Sequence, residues 1–538
     1  MSTAFAGTGR LAVSMLRADR VRVPVWVLVM VAFVAYAAGG IPAVMGEEGL
    51  QARAEVMKEP AGAMMAGPGY GIEDYSIEIL MANEMLGMFA VMVAIMSLLL
   101  VVRHTRAEEE AGRTELVRAA PVGRYAQLTA ALIVLVAANA AVALGMGAAL
   151  VGTGMEPVLD AWVFGAGLGA VGLVFGAAAA LTVQLSSNAR AASGMAGALV
   201  GAAYVLRAVG DAQAPGGSVL SWLSPIGWVQ QMRIFAGLRL EPAWLAAGAV
   251  VVLVSAAYAL AARRDVGAGL LPERRGRANA TPAGRTLLGL TARLERPRLV
   301  WWAVGLFVFG ALTGSLAGPM SEVMREQPQL LAVLGVDPGD DDAMANLVSE
   351  AMGMFLMFFA MAVAVYAAAA ARGLLGDETA CRSELALSAV MPRAWWLGAP
   401  LLVSLLGSTA LLVVSGVGLG AGASAAIGPA AVGDFALAAL AYAPLLACWA
   451  AAAMLLYGAG RGSAVLWVAL IAAFVIGMYG RLLDVPQAVQ DAEPFSMVDA
   501  MALVGGDGDW TPLWVAGIVA AVLSAAAMIA FRRRDLAA

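Results

Sequence analysis

Of the 538 residues in this chain, 61% are hydrophobic and 13% are charged, against roughly 45–50% and about 25% in a soluble domain. That balance excludes a soluble globular protein. The net charge of −5 says little by itself, because charge is sorted by side of a membrane, and no nucleic-acid partner is expected.

In chain order, residues 1–22 are a basic N-terminal segment. Leu11, Val13, Met15 and Leu16 are interrupted there by Arg10 and Arg17, which fits an interfacial helix in part. Six apolar runs fill a first half, 23–265, near 23–41, 83–102, 127–150, 160–184, 191–209 and 243–262. An arginine-rich linker, 266–298, follows. The second half, 299–538, carries runs near 299–318, 348–371, 396–420, 433–456, 464–480 and 512–531. Runs of this length cross a ~30 Å hydrocarbon core as helices, and a helix satisfies its own backbone polar groups, as lipid requires. With the N-terminus inside, 26 of the 33 basic residues fall on the inner side and 26 of the 38 acidic residues on the outer side. The positive-inside rule asks for the first asymmetry, and a missed span would scramble it. The reading is an all-α polytopic protein of about twelve transmembrane helices with both termini cytoplasmic, in a bacterial cytoplasmic membrane. A basic stretch before an apolar run also opens the second half, so the first run is read as a span and not as a cleaved signal.

The two halves repeat. Arg17, Asp19, Arg20, Arg22 and Trp26 recur as Arg293, Glu295, Arg296, Arg298 and Trp302. Arg103, Glu109, Arg113, Glu115, Leu116 and Arg124 recur 269 residues later as Arg372, Glu378, Arg382, Glu384, Leu385 and Arg393. Pro242 and Trp244 match Pro512 and Trp514, and Arg263, Arg264 and Asp265 match Arg533, Arg534 and Asp535. Six spans is an even number, so the halves enter the membrane alike, as parallel six-helix repeats.

Several chemistries are excluded. The sole lysine, Lys58, lies in the context Met57, Lys58, Glu59, Pro60, so a phosphate-binding P-loop cannot be built and the chain is not an ATP-hydrolysing enzyme by itself. Cys381 and Cys448 lack pairing or ligand spacing. His104, the one histidine, follows a span and reads as interfacial or solvated. No metal site or catalytic residue is expected.

After the second apolar run, Glu108, Glu109, Glu110, Arg113, Glu115 and Arg118 precede Pro121, Val122, Gly123 and Arg124. The spacing predicts a short helix interrupted only by Gly112, with Glu109–Arg113 as an i,i+4 pair. Asp377, Glu378, Arg382 and Glu384 repeat it, with Glu378–Arg382 as the equivalent pair. Methionines 81, 85, 88, 92 and 96 fall on one helical face, and Met354, Met357, Met361 and Phe358 answer Met85, Met88, Met92 and Phe89. Flexible methionines suit promiscuous apolar binding, which makes Met85, Met88, Phe89, Met92, Met354, Met357, Phe358 and Met361 substrate-path candidates. Arg207 with Asp211 and Arg481 with Asp484 sit at outer span ends and read as snorkelling anchors, with Arg207 and Arg481 as outer-gate candidates. Asp160 also reads as interfacial. Gly165, Gly169, Gly172 and Gly176 have the spacing of close helix packing.

The stretch Glu109, Gly112, Arg113, Glu115, Leu116 with the following Pro121, Val122, Gly123, Arg124 resembles the permeases of type 2 ABC transporters, in particular the fused twelve-span polyketide-antibiotic exporter branch. Ser224, Pro225, Ile226, Gly227 and Trp228 resemble the same branch. In the second copy Cys381 replaces the glycine and Pro392 lies two residues late. The resemblance implies connecting helices around 3–20 and 281–297, and coupling helices at 107–118 and 376–387. These would carry Glu108, Glu109, Glu110, Arg113, Glu115, Asp377, Glu378, Arg382 and Glu384 into two copies of a separate P-loop ATPase, which would bind the ATP and Mg. It also implies partly re-entrant segments at 214–241 and 484–511, and export of hydrophobic or amphiphilic small molecules, antibiotics included. The alternative is a proton-driven secondary transporter of six-plus-six architecture.

Overall fold

A computed structural model describes residues 3–265, 267–271, 279, 281–325, 331, 340–379, 382–388, 392–480, 485–506 and 508–534. They form helices and connecting turns, with no strand among them. Eleven helices are long and apolar enough to cross a membrane; the remaining expected span is Ala464–Tyr479, an apolar helix of 16 residues. The chain divides into two compact units, Met1–Arg275 and Gly276–Ala538.

In the first unit, α1 (Thr8–Ala18) precedes α2 (Arg22–Lys58), whose first part is span 1. Span 2 is α3 (Ile77–Glu110). Gly112, at φ +72°, stops that helix, and α4 (Arg113–Arg118) begins anew after it. Only glycine adopts this left-handed turn without strain. The expected single docking helix is therefore two pieces. The remaining spans are α5 (Ala126–Gly152), α6 (Val158–Leu185), α7 (Ala189–Gln213) and α9 (Glu241–Ala261), with the short α8 (Pro225–Gln230) between the last two. Asn188 caps α7 by accepting from the backbone N–H groups of Arg190 and Ala191. Pro242 sits in the first turn of α9, where its missing N–H costs nothing.

Small residues set the packing. A methyl group at Gly165 would sit 2.2 Å from the carbonyl oxygen of Ala143, and one at Gly176 would strike Leu135. The backbones of α5 and α6 approach closely for that reason. Ser97 and Asn139 join α3 to α5 through a buried side-chain hydrogen bond of 3.0 Å.

In the second unit, α10 (Leu287–Gly314) runs without a break from the connecting segment into span 7, through Pro297. The first unit instead turns between α1 and α2. There follow α11 (Asp341–Ala368), α12 (Arg372–Thr379), α13 (Arg382–Ser388), α14 (Arg393–Ile427), α15 (Ala431–Gly458), α16 (Ala464–Tyr479), α17 (Ala500–Gly505) and α18 (Thr511–Arg533). Residues 380 and 381, between α12 and α13, lie outside the described set; Cys381 is the sequence match to Gly112.

Candidate functional site

The conserved spacing of acids and arginines after spans 2 and 8 builds a clamp in each unit. A π-helical turn, Arg103–Ala107, brings His104, Thr105 and Arg106 to the inside of the bundle. Such turns insert a residue and re-aim those that follow. Arg106 is fully buried. It donates to Glu109 at 2.8 Å and, through Nε and Nη2, to the carbonyl of Val183 at 3.1 and 2.5 Å. Arg264, just beyond α9, grips the same carboxylate with both terminal nitrogens, at 2.8 and 2.6 Å, and reaches Gln184 at 2.5 Å through Nε. Two guanidinium groups thus enclose one buried carboxylate and join the inner ends of spans 2, 4 and 6. Glu110 accepts from the Ala189 N–H at 3.0 Å, at the start of α7, where an acid complements the helix dipole. Arg124 donates to the carbonyls of Ala261, Ala262 and Arg264 at the end of α9.

The expected Glu109–Arg113 pair does not form. Arg113 binds Glu108 instead, at 2.6 and 2.9 Å, because the turn at Gly112 carries Arg113 away from Glu109. The second unit repeats the exchange: Arg534 binds Glu378 at 2.6 Å, while Arg382 binds Asp377 at 2.9 Å. Arg393 donates to the carbonyl of Arg534 at 3.2 Å. Glu384 lies on α13, with its side chain outside the described set. The clamp partners Arg264 and Arg534 stood in the repeat as unassigned matches; their separation from Glu109 and Glu378 by some 155 residues gave no local signal.

Around this root, α4 stands out from the bundle. Arg113, Glu115 and Arg118 are exposed, and Leu116 is 78% exposed. The Pro-Val-Gly-Arg turn behind it seats the N-terminus: Gly123 donates to Ala6 at 2.9 Å and Tyr125 to Ala4 at 3.0 Å. A side chain at Gly123 would lie 2.2 Å from the Ala4 carbonyl carbon.

Other expected sites come out differently. His104 is buried and bonded to Asp19, which also accepts from Arg103 at 2.5 Å; it is an internal tie and not a solvated edge. Arg207 is fully buried rather than snorkelling. It reaches Asp211 at 3.4 Å and the carbonyls of Met64 and Met65 at 3.3 Å, and Asp211 accepts from Ser221 at 2.6 Å. Asp160 is likewise buried, accepting from the Phe235 N–H at 2.7 Å. Arg481 and Asp484 lie outside the described residues. The methionines differ in exposure: Met81 and Met96 are buried and Met88 is exposed. The π-helical turn Met81–Met85 puts Met81 out of phase with those that follow. Phe89 is buried, and Met85 and Met92 are half-buried. In the second unit Met354 is 74% exposed, Met357 and Phe358 are half-buried and Met361 is buried.

Among the described residues no group of His, Cys, Asp and Glu is arranged to hold a metal. Residues 285–532 match the family model of the multidrug efflux system permease Rv1217c, C-terminal domain. The whole chain is 34% identical to the multidrug efflux system permease protein Rv1217c of Mycobacterium tuberculosis (strain ATCC 25618 / H37Rv), over 99% of this chain and 96% of that protein.

Proposed function

The chain belongs to the multidrug efflux permease family, and from that premise we propose that it is the membrane subunit of a type 2 ABC exporter. In this reading it moves hydrophobic or amphiphilic small molecules, antibiotics among them, out across the bacterial cytoplasmic membrane. Two copies of a separate P-loop ATPase supply the power and bind the ATP and Mg. The observation that carries the reading is an exposed element on a buried root. Leu116 and the Glu108–Arg113 pair face outward on and beside α4, while Glu109 and Glu110 fasten the same turn to four spans. A push on α4 is thereby delivered to spans 2, 4, 5 and 6 together. The absence of a P-loop lysine, with Lys58 the sole lysine, puts the hydrolysis on another chain.

Glu108, Arg113, Glu115, Asp377 and Arg382 are the contacts to the ATPase in this account, whereas Glu109, Glu110 and Glu378 hold the docking surface in place. The test is affinity purification of the tagged full-length chain from its native membrane. A P-loop ATPase should come with it, and should be lost from a Leu116→Arg, Leu385→Arg variant that still unfolds at the wild-type temperature. Recovery of the permease alone in a detergent that preserves ABC complexes would overturn the reading. So would drug export that persists on a proton gradient after ATP is depleted, which would establish the proton-driven alternative.

A further inference from the structure

The outer stretch between spans 1 and 2 ends in a strap, residues 60–76, that is stitched to the outer ends of spans 2 and 5 of the first unit. A short helix, Pro60–Met65, opens it, and Ser76 closes it by capping the start of α3. Most of its ties run from buried side chains to its backbone. From α7, Arg207 donates to the carbonyls of Met64 and Met65, and Tyr204 to that of Met65, all at 3.3 Å. From α8, Gln230 donates to the Ala66 carbonyl at 3.3 Å. From α3, Asn83 accepts from the N–H groups of Gly69 and Tyr70, at 3.1 and 3.2 Å, and donates to the Tyr70 carbonyl at 2.8 Å. The Tyr70 hydroxyl lies between the Gly216 carbonyl, at 2.6 Å, and the side-chain oxygen of Gln231.

The seam under the strap is polar. Asn83, Arg207, Asp211, Ser221, Gln230 and Gln231 are all buried there. Arg207 Nε and Gln230 Oε1 have no hydrogen-bond partner, although their side chains grip neighbouring carbonyls of the strap, Met65 and Ala66. A buried atom left unpaired keeps its desolvation penalty without return, and a buried ion pair is often no more stable than apolar residues of the same volume. A seam closed for good has little use for such groups. On a surface that water reaches they carry no penalty, so the seam has the composition of a surface that is wet in a second arrangement of the chain. The strap has the backbone to reach one: Gly69 and Gly71 both sit at φ +71°, where glycine turns freely.

We propose that residues 60–76 are the outer lid of the first unit, closed over spans 2 and 5 at rest and lifted during export, with Arg207, Asn83 and Gln230 as the latch. An efflux path has to open at the outer face, and the strap is the element that joins the outer ends of these two spans. Lifting it exchanges hydrogen bonds to the strap for hydrogen bonds to water, a nearly balanced step, and gives Arg207 Nε and Gln230 Oε1 the partners they lack. Arg207, an outer-gate candidate from the sequence, thereby acquires a gate to hold. The inference rests on the chain being an efflux permease, and it stands whether ATP or a proton gradient drives the cycle.

The test uses the full chain in its native cells, with Cys381 and Cys448 changed to Ser. A side chain at Gly71 would place its Cβ 3.4 Å from that of Ala236, close to the spacing a disulfide spans. Gly71→Cys with Ala236→Cys therefore ties the strap to the outer segment before α9. Oxidation should abolish dye export and a reductant should restore it, while neither single variant responds. Export through the cross-linked chain at the rate of its reduced form overturns the proposal. A second measurement leaves the strap and latch untouched. Gly87 on α3 is buried directly beneath, where a Cβ would lie 3.8 Å from the Ala66 carbonyl oxygen and 3.2 Å from Gln230 Nε2. Gly87→Cys is offered a membrane-impermeant maleimide from outside. Labelling should run about tenfold faster in exporting cells than in cells drained of both ATP and the proton gradient, as a minor open state becomes populated. Equal labelling in the two conditions overturns the proposal, whether or not the cross-linked variant folds. Neither measurement depends on which source of power drives export, so failure here is distinct from failure of the exporter reading.

Discussion

Glu109 and Glu378 occupy equivalent positions, yet the carboxylates differ in what they hold. Glu109 lies between two guanidinium groups, one fully buried, and removing its charge leaves Arg106 and Arg264 facing each other. Breaking a buried pair costs about 3–5 kcal/mol. Among the described residues Glu378 pairs with one arginine, Arg534, in a more accessible place. Glu109→Gln is therefore expected to lower the unfolding midpoint of the purified permease clearly more than Glu378→Gln does; equal losses would mean that Arg106 contributes nothing to the clamp. Glu493 supports a different prediction. It stands where Ser224 stands in the first unit, each accepting a backbone N–H, from Ser496 in one case and from Ile226 and Gly227 in the other. Burial pushes the Glu493 carboxyl above its ordinary 4.5, against the lowering effect of hydrogen bonds from Phe495 and Ser496. Its Oε1 has no hydrogen-bond partner. A folded pKa above the unfolded one means that folding favours the protonated form. The stability present below the ordinary value is then lost as pH rises through the folded pKa. The melting temperature should thus fall as pH rises above the ordinary carboxylate value, and Glu493→Gln, which still accepts from Ser496, should flatten that slope. An unaltered slope would place the titration elsewhere.

At the scale of elements, the Pro-Val-Gly-Arg turn illustrates a motif whose meaning is steric. The backbone of residues 4–6 passes directly over Gly123, leaving no room for a side chain. Gly123→Val should unseat the N-terminal segment while leaving the spans intact, visible as faster amide exchange in residues 3–18 with unchanged exchange in α5 and α6. Unchanged protection of residues 3–18 would show that the seat can shift at little cost. The second unit has Pro392 at the matching position and needs no such seat, since α10 runs on without a break. Helices and their order were legible in the sequence, because apolar runs of membrane length admit one regular structure. The ion pairs were not. An i,i+4 rule sees only neighbours along one helix, while Glu109 and Glu378 chose arginines beyond the sixth span of their own unit. The phase of Met81 was out of reach for a related reason: it was counted through Met81–Met85, where a π turn resets it.

Across the whole molecule, duplication explains what the halves share, and divergence shows where they have separate work. Both retain the carboxylate–arginine clamp, the Asp or Glu paired to the outward arginine, and the arginine that closes the last span. The repeat made these positions identifiable from sequence, though not their partners. Arg106 has Leu375 at its matching position, so the first clamp reaches span 4 twice, through Arg106 to Val183 and through Arg264 to Gln184, whereas in the second clamp Arg534 reaches the matching span through the Tyr457 carbonyl at 2.9 Å. If α4 transmits a push, the first unit is the stiffer lever. Arg106→Leu makes its clamp like the second. It leaves the bidentate Glu109–Arg264 contact in place and strands the Val183 carbonyl, a cost of about 1–3 kcal/mol, while Ala268 still accepts from Arg264 at 3.0 Å. On the exporter reading, the expected result is a permease that folds, still recovers an ATPase through the untouched surface at Leu116, and exports substrate more slowly than wild type at equal ATP turnover. Export at the wild-type rate would show that the Arg106 tie to span 4 carries no motion beyond the remaining Arg264–Gln184 contact, and that the buried arginine only holds the fold together. Loss of the ATPase instead would mean that Arg106 sets the pose of α4, which puts the docking surface and its root in one rigid element.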